Sequence, residues 1–174
     1  MSTVVRPRLG ALRWIVLALL VIAADQFSKW LIVTRLQLFE RHDWLPVLEI
    51  TRLHNLGAAF SFLSDAGGWQ FYLFVGLALL VSGGILIALL RSPTAGPSLL
   101  NIGLALILGG ALGNVIDRVM RGYVVDFIHV HWETSWYFPA FNVADSAITL
   151  GALCMVLDAI IEARKKPATG AGDA

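Results

Sequence analysis

Two aspartates are the residues of this sequence best suited to chemistry. Asp126 and Asp145 lie nineteen residues apart, at either end of an aromatic-rich segment and each beside a long apolar block. A carboxylate is costly in apolar surroundings, so its presence there needs a reason. Two carboxyl groups that meet at a membrane surface can share one proton, and the ionised group can then activate water. We therefore predict that these two residues form the functional centre.

The composition indicates an integral membrane protein. The 174 residues are 57% hydrophobic and only 14% charged, whereas a soluble domain carries about 25% charged residues. The sequence has no basic stripe of the kind that nucleic-acid binding needs, so a nucleic-acid partner is not expected. The apolar residues fall in four blocks, at about 12–34, 70–90, 99–117 and 140–161. Each block has roughly the 20 residues that cross a bilayer as a helix, and the third is the shortest.

The first block has the basic start and apolar core of a cleaved signal peptide. The apolar run resumes at Trp30, however, and no clear Ala-x-Ala cleavage site follows the core. We therefore predict that this first block is a membrane span and not a cleaved signal peptide, which gives four spans in all. The expected fold is a mainly α membrane protein, with one four-helix domain over residues 1–166 and a disordered tail at 167–174.

The distribution of Lys and Arg predicts the orientation. Seven lie in the N-terminal segment, the middle loop and the C-terminal tail, and five lie on the opposite side, in or beside segments 35–69 and 118–139. This excess favours cytoplasmic termini and places both aspartates at the outer face. Residues 47–53 and 124–132 are rich in β-branched and aromatic residues, which predicts a small extracytoplasmic sheet.

Polar residues inside the third and first blocks need partners. Asn114 and Arg118 are four residues apart and share one helix face, as do Asp25 and Lys29. Asp25 and Lys29 are placed to form an intrahelical ion pair that anchors its helix. Asn114 and Arg118 require polar partners within the membrane, such as Asp117, the two outer aspartates or substrate carbonyls.

Three further positions have a structural and a functional interpretation. The segment that begins at Asn55 and Gly57 suits close backbone approach, although a re-entrant turn has the same composition. Asn142 lies three residues before Asp145, where it can hold that carboxylate or cap the helix. Asp126 itself can be an ordinary strand residue paired with Arg118 or Arg121.

Other catalytic chemistries are less favoured. His129 and His131 share one face of a strand, but the closest acidic residue along the chain is Glu133, so no convincing metal-ligand set is visible. Ser28 or Ser61 beside Lys29 imitates a Ser–Lys dyad, yet Lys29 is explained more simply by Asp25. The single cysteine, Cys154, lies in an apolar block and reads as a small hydrophobic residue.

Five motifs resemble those of bacterial lipoprotein signal peptidase (signal peptidase II), in the same order along the chain. They are Asp25-Gln26-x-Ser28-Lys29, Asn55-x-Gly57-Ala58-Ala59-Phe60, Gly109-Gly110-Ala111-x-Gly113-Asn114-x-x-Asp117-Arg118, Val124-Val125-Asp126-Phe127 and Phe141-Asn142-x-Ala144-Asp145. The resemblance runs from about Asp25 to Asp145, and no motif position departs from it.

The resemblance implies an aspartic peptidase of the bacterial cytoplasmic membrane. Such an enzyme removes the signal peptide of a prolipoprotein, cutting before a cysteine that carries diacylglycerol. It also implies binding of globomycin-type inhibitors and contact with membrane lipids, with no metal or cofactor. By motif, Asp126 and Asp145 would be the catalytic pair. The remaining residues would shape the site and bind substrate (Asn55, Gly57, Asn114, Arg118, Asn142) or support it (Asp25, Lys29).

Two other functions are compatible with buried acids in a membrane protein. One is a small proton-coupled transporter or channel subunit, although these four spans show no internal repeat of the kind that marks many transporters. The other is a scaffold whose polar residues hold helices together. A scaffold would tolerate the substitution Asp126→Asn, whereas a peptidase would not.

Overall fold

The computed structural model describes residues 9–57, 67–92, 98–132 and 136–165. Within these residues, four helices are long and apolar enough to cross a membrane. They are α1 (Leu9–Arg35), α2 (Trp69–Arg91), α3 (Leu99–Arg121) and α4 (Val143–Lys165). The expected fold class, a mainly α protein with four transmembrane helices, is confirmed. The predicted disordered tail and residues 58–66 lie outside the described part of the chain.

Helix α3 is the centre of the helical bundle. It packs against α1, α2 and α4 and has more buried positions than any of them. Glycines make this close packing possible, since a Cβ atom added at Gly103 would lie 2.6 Å from the carbonyl oxygen of Gly151 on α4. At Gly109, an added Cβ would lie 2.7 Å from the carbonyl oxygen of Ala18 on α1. The glycines therefore let α3 contact the backbones of two neighbouring helices, as small residues do in membrane bundles.

A four-stranded antiparallel sheet stands beside the bundle, with its strands in chain order. The strands are β1 (Arg41–Leu45), β2 (Leu48–Asn55), β3 (Val124–Trp132) and β4 (Trp136–Tyr137). Val125 and Phe127 of β3 pack with Ile32 of α1 in one apolar cluster, so the sheet is fixed to the helices through β3.

The turn from α3 into β3 fixes where Asp126 lies. Gly122 ends α3 in the left-handed conformation, with φ 81°, and its N–H donates to the carbonyl of Arg118. This is a common helix C-terminus that glycine adopts without strain. The backbone N–H of Val125 then donates to the Asp117 carboxylate at 3.0 Å. Asp126 is thereby held close to the last turns of α3.

Several helix ends and two strands, β1 and β4, differ from the sequence prediction. Helix α3 continues to Arg121 and is as long as α2 and α4, because polar residues of its last turns are buried among protein partners. Helix α4 begins at Val143 rather than at residue 140, because Phe141 pairs with Ile128 of β3. Strand β1 was not predicted, since all of its residues are exposed and no apolar alternation marks it.

The contact at Gly113 provides a test of the close packing. A Cβ atom there would lie 2.7 Å from Asp25 Oδ2, within the buried ion-pair region. We expect Gly113→Ala to destabilise the protein by about 1–3 kcal/mol through this overlap. Gly84→Ala is the matched control, because a Cβ added at Gly84 meets no described atom within 4 Å. Thermal unfolding in detergent would compare the two, and equal melting temperatures would contradict the packing described here.

Candidate active site

A cavity of about 690 Å³ lies where α3, α4 and β3 meet. Both Asp126 and Asp145 line it, so the structure brings the two predicted residues to one space. Its other polar lining residues are Asn55, Asn114, Arg118, Ser146 and Thr149. Its apolar lining residues are Val124, Phe138, Pro139, Ala140, Phe141, Ile148 and Leu150. The cavity therefore combines a small polar centre with apolar walls, as expected of a site for an amphipathic ligand.

Asp126 is buried and is held by two amide donors. Asn142 Nδ2 donates to its Oδ1 at 2.7 Å, and Asn55 Nδ2 donates to its Oδ2 at 2.9 Å. Asp126 lies in β3, as one sequence interpretation had it, but its carboxylate accepts hydrogen bonds from these two amides, whereas Arg118 donates to Gly57 and Arg121 pairs with Asp117.

Asp145 is held from the side of α3 and from the start of its own helix. Asn114 Nδ2 donates to Asp145 Oδ1 at 2.8 Å, and the backbone N–H of Asn142 donates to Oδ2 at 3.2 Å. In return, the Asn142 side-chain oxygen accepts from the N–H of Asp145 at 3.0 Å. This reciprocal pair is a helix capping arrangement. Asn142 thus caps α4 and also contacts both aspartates. It therefore has both of the roles that the sequence suggested, as a helix cap and as a residue that holds the Asp145 carboxylate.

The surroundings of Asp126 change its acidity. Burial, followed by the nearby negative charge of Asp145, raises the pKa of Asp126 from 3.8 to about 7. The hydrogen bonds from Asn55 and Asn142 act in the opposite direction but are outweighed. Near neutral pH, Asp126 therefore exchanges its proton readily, as a catalytic acid or base must.

Lys29 is fully buried beneath this centre. Its Nζ lies 2.8 Å from Asp25 Oδ2 and 3.1 Å from Asp117 Oδ2, and it donates to Asn114 Oδ1 at 2.9 Å. A lysine ammonium has only donors, so the oxygen of the Asn114 amide must face it. The amide nitrogen of Asn114 then faces Asp145. Lys29 thus pairs with Asp25, as predicted, and in addition orients the Asn114 side chain, which contacts Asp145.

Asp25 and Asp117 connect this lysine to the rest of the site. Asp25 Oδ1 accepts from the backbone N–H of Ala144 at 2.9 Å, one residue before Asp145. Asp117 also pairs with Arg121, four residues along α3. Gln26, whose role the sequence did not reveal, donates to both carboxylates and to the carbonyl of Gly113. The buried charges therefore link α1, α3, β3 and the start of α4.

Arg118 and Gly57 lie together at the edge of the cavity. Arg118 Nη2 donates to the carbonyl of Gly57 at 2.8 Å, and the N–H of Gly57 donates to Asn55 Oδ1 at 2.9 Å. The guanidinium also lies 5.4 Å from the centre of the Phe74 ring of α2. These contacts place a guanidinium cation and a backbone carbonyl beside the cavity that the two aspartates line.

The structure also shows the contacts of the serine and histidine residues that the sequence analysis considered for other chemistries. Ser28 donates to the carbonyl of Asp25 within its own helix, which explains its hydroxyl without a Ser–Lys dyad, and Ser61 lies outside the described residues. Near the two histidines, the structure places acidic residues that the spacing along the sequence did not reveal. His129 contacts Glu49 at 2.6 Å, and His131 groups with Glu49 and Asp43, because strand pairing brings distant segments together.

Comparison with known proteins places these features in a family. The family model for signal peptidase (SPase) II matches residues 17–161. A lipoprotein signal peptidase of Acinetobacter baumannii is 52% identical over 154 residues, covering 88% of this chain and 86% of that protein. A lipoprotein signal peptidase of Pseudomonas syringae pv. tomato is 48% identical over 158 residues, covering 90% and 91%.

Solved structures agree with this assignment. A bacterial membrane enzyme determined by the in meso method at 2.3 Å resolution superposes with a TM-score of 0.77 and 28% identity, covering 92% of this chain and 94% of that one. A second, determined at 1.9 Å resolution, superposes with a TM-score of 0.70 and 30% identity, covering 90% and 94%. The family model, the curated relatives and the fold agree over most of the chain, and the protein belongs to the signal peptidase II family of multi-pass membrane peptidases.

Proposed function

We propose that this protein is an intramembrane aspartic endopeptidase that removes the signal peptide from diacylglyceryl-modified prolipoproteins and cuts before the lipidated cysteine. Family membership supports a peptidase that acts on prolipoproteins. One observation carries the aspartic mechanism: Asp126 and Asp145 line the same cavity and are both hydrogen-bonded to Asn142. Two carboxyl groups so arranged favour a state in which they hold one proton between them.

In the proposed reaction, the pair acts as one titrating unit. The ionised carboxylate removes a proton from a water molecule as the water oxygen attacks the scissile carbonyl carbon. The protonated carboxyl donates its proton to the carbonyl oxygen, which gives a tetrahedral diol. When the carbon–nitrogen bond breaks, the carboxyl that took the proton from water passes it to the leaving amine, and the other carboxylate takes a proton from a hydroxyl of the diol, which leaves one proton on the pair again. The raised pKa of Asp126 favours Asp126 as the resting site of the shared proton.

The cavity walls suit the proposed substrate. Apolar residues of α4 and of the segment before it, including Ile148, Leu150 and Phe138, face the cavity. They would accept the apolar signal helix and the acyl chains from the bilayer. Asn55, Gly57 and Arg118 would bind the peptide backbone beside the scissile bond, while Asn114 and Asn142 would hold the catalytic carboxylates. Globomycin-type peptides would occupy the same cavity.

The location follows from the same assignment. We propose that the protein lies in the bacterial cytoplasmic membrane, with both termini in the cytoplasm and the active site near the outer face. The distribution of Lys and Arg supports this orientation. A substrate peptide would then be cut on the side to which lipoproteins are exported.

The first test is cleavage of a diacylglyceryl-modified lipobox peptide by purified protein, with a metal chelator present. Removing either carboxyl group removes general acid–base catalysis, so we expect Asp126→Asn and Asp145→Asn to lower kcat by roughly 100-fold or more. Asp158→Asn is the matched control, because Asp158 lies on α4 but caps the backbone of Leu100 far along the helix from Asp145. It should retain wild-type activity.

Substantial cleavage by either folded active-site variant would overturn the aspartic mechanism. Folding can be checked by thermal unfolding above the pKa of Asp126. That pKa is raised in the folded state, so the ionisation of Asp126 lowers stability as the pH increases toward and through about 7. Asp126→Asn removes this penalty, so we expect its melting temperature at alkaline pH to be no lower than that of wild type.

The pH dependence offers a second prediction. Loss of the shared proton should decrease kcat/KM as the pH rises above about 7, the pKa of Asp126. Because the charge of Asp145 is the second cause of this raised pKa, Asp145→Asn should lower the pKa of Asp126 but leave it above 3.8, since burial remains. Titration of ¹³C-labelled aspartate carboxyls would measure it, with Asp158→Asn as control. An unchanged titration midpoint in Asp145→Asn would contradict the coupling.

A further inference from the structure

Three strands of the sheet each contribute one potential metal ligand to a single cluster. Asp43 of β1, Glu49 of β2 and His131 of β3 present ligand atoms that all lie within 4.8 Å of one another. We propose that this cluster binds a divalent transition-metal ion, and specifically Zn²⁺. The site would be separate from the aspartates of the cavity and would fasten the sheet rather than take part in peptide cleavage.

Strand register explains why these residues meet. Asp43 and Glu49 are direct partners across the β1–β2 pair, and Glu49 is the direct partner of His129 across the β2–β3 pair. His131 lies two residues beyond His129, so both imidazoles belong to the same face of β3. Two carboxylates directly opposite each other repel and weaken strand pairing. A cation between them would turn this repulsion into attraction.

Glu49 is the residue around which the site is built. It is only 5% exposed, although it carries a carboxylate. His129 Nδ1 lies 2.6 Å from its Oε1, and Arg41 lies 3.5 Å from the same oxygen. A carboxylate has two oxygens with about four lone-pair sites, so Glu49 can bind a metal ion in addition to these contacts.

Of the two other ligands, Asp43 has a side chain that can move and His131 has a ring whose orientation is restrained. Asp43 is exposed, so its side chain can rotate toward an ion with little resistance. The His131 ring stacks on Tyr137 of β4, with 5.6 Å between ring centres, which restrains the plane of the imidazole. Arg41 shares the neighbourhood, but its side chain is 53% exposed and can withdraw into solvent as the ion enters. The net charge of the cluster with Arg41 withdrawn is negative, which favours a dication.

The donor set identifies the class of metal. One imidazole nitrogen and two carboxylate oxygens suit Zn²⁺, whereas Mg²⁺ and Ca²⁺ prefer oxygen ligands alone. In a tetrahedral zinc site with bonds of about 2.0–2.1 Å, ligand atoms are separated by roughly 3.4 Å. The ligand atoms here must approach one another by up to about 1.4 Å from the 4.8 Å limit, through rotation of the exposed Asp43 side chain and small shifts of Glu49 and His131. Water would complete the coordination.

The test is zinc binding by the untagged, full-length protein in detergent after removal of metal. We expect one saturable Zn²⁺ per chain by equilibrium dialysis with elemental analysis, and a higher melting temperature with zinc than without it. Asp43→Asn and His131→Gln each remove one ligand and should weaken binding by roughly 10-fold or more, since even residues that only orient a ligand have effects of 10–100-fold. Both should also lose the zinc-dependent rise in melting temperature.

Two control variants separate this site from other sources of binding. His42→Gln changes a neighbouring histidine of β1 that contacts Glu40 instead, and should bind zinc as wild type does. Asp126→Asn alters the cavity and should also retain the bound zinc. The proposal is overturned if wild type binds no zinc saturably, if Asp43→Asn and His131→Gln bind as tightly as wild type, or if Asp126→Asn abolishes binding. The readout is binding and stability, so it is independent of peptidase activity.

Discussion

The arrangement of the candidate active site depends on one buried cation. Lys29 is fully enclosed with Asp25 and Asp117, and it also contacts Asn114. Buried ions of this kind require partners from every side, because removal of one partner leaves an uncompensated charge. Here the partners belong to α1 and α3, and the carboxylates in turn bind backbone N–H groups of β3 and α4. The ion cluster therefore fixes the relative positions of the segments that carry Asp126 and Asp145.

The hydrogen bonds of this cluster also set the orientation of the amides around the two aspartates. Each amide near the aspartates has its oxygen occupied by another group, so its nitrogen can only face a carboxylate. The Asn114 oxygen accepts from Lys29, and the Asn142 oxygen accepts from the N–H of Asp145. The orientation of the two aspartate carboxylates thus depends in part on Lys29 and Asn142, which are not among the lining residues of the cavity, as a pre-organised site requires.

Periodicity and composition were sufficient to predict the helices, because a membrane span leaves a long apolar run that few other structures share. The two central strands were also predictable from their β-branched and aromatic residues. Sequence reasoning missed β1, since the exposed residues Arg41–Leu45 carry no apolar alternation. It also missed the approach of Glu49 to His129, which lies eighty residues away along the chain and becomes a neighbour only through strand register. Pairwise contacts across a sheet are not encoded in local spacing.

The position of Asn142 between the two aspartates has a consequence for proton movement. The side-chain amide of Asn142 donates to Asp126 and its backbone N–H donates to Asp145, and neither group accepts or releases a proton at ordinary pH. Asn142 therefore connects the two carboxyl groups without providing a path for a proton between them. In the proposed reaction, a proton that passes from one aspartate to the other would travel through what occupies the cavity, whether solvent or a bound peptide. Exchange within the pair would then depend on the occupant of the cavity rather than on a movement of the protein.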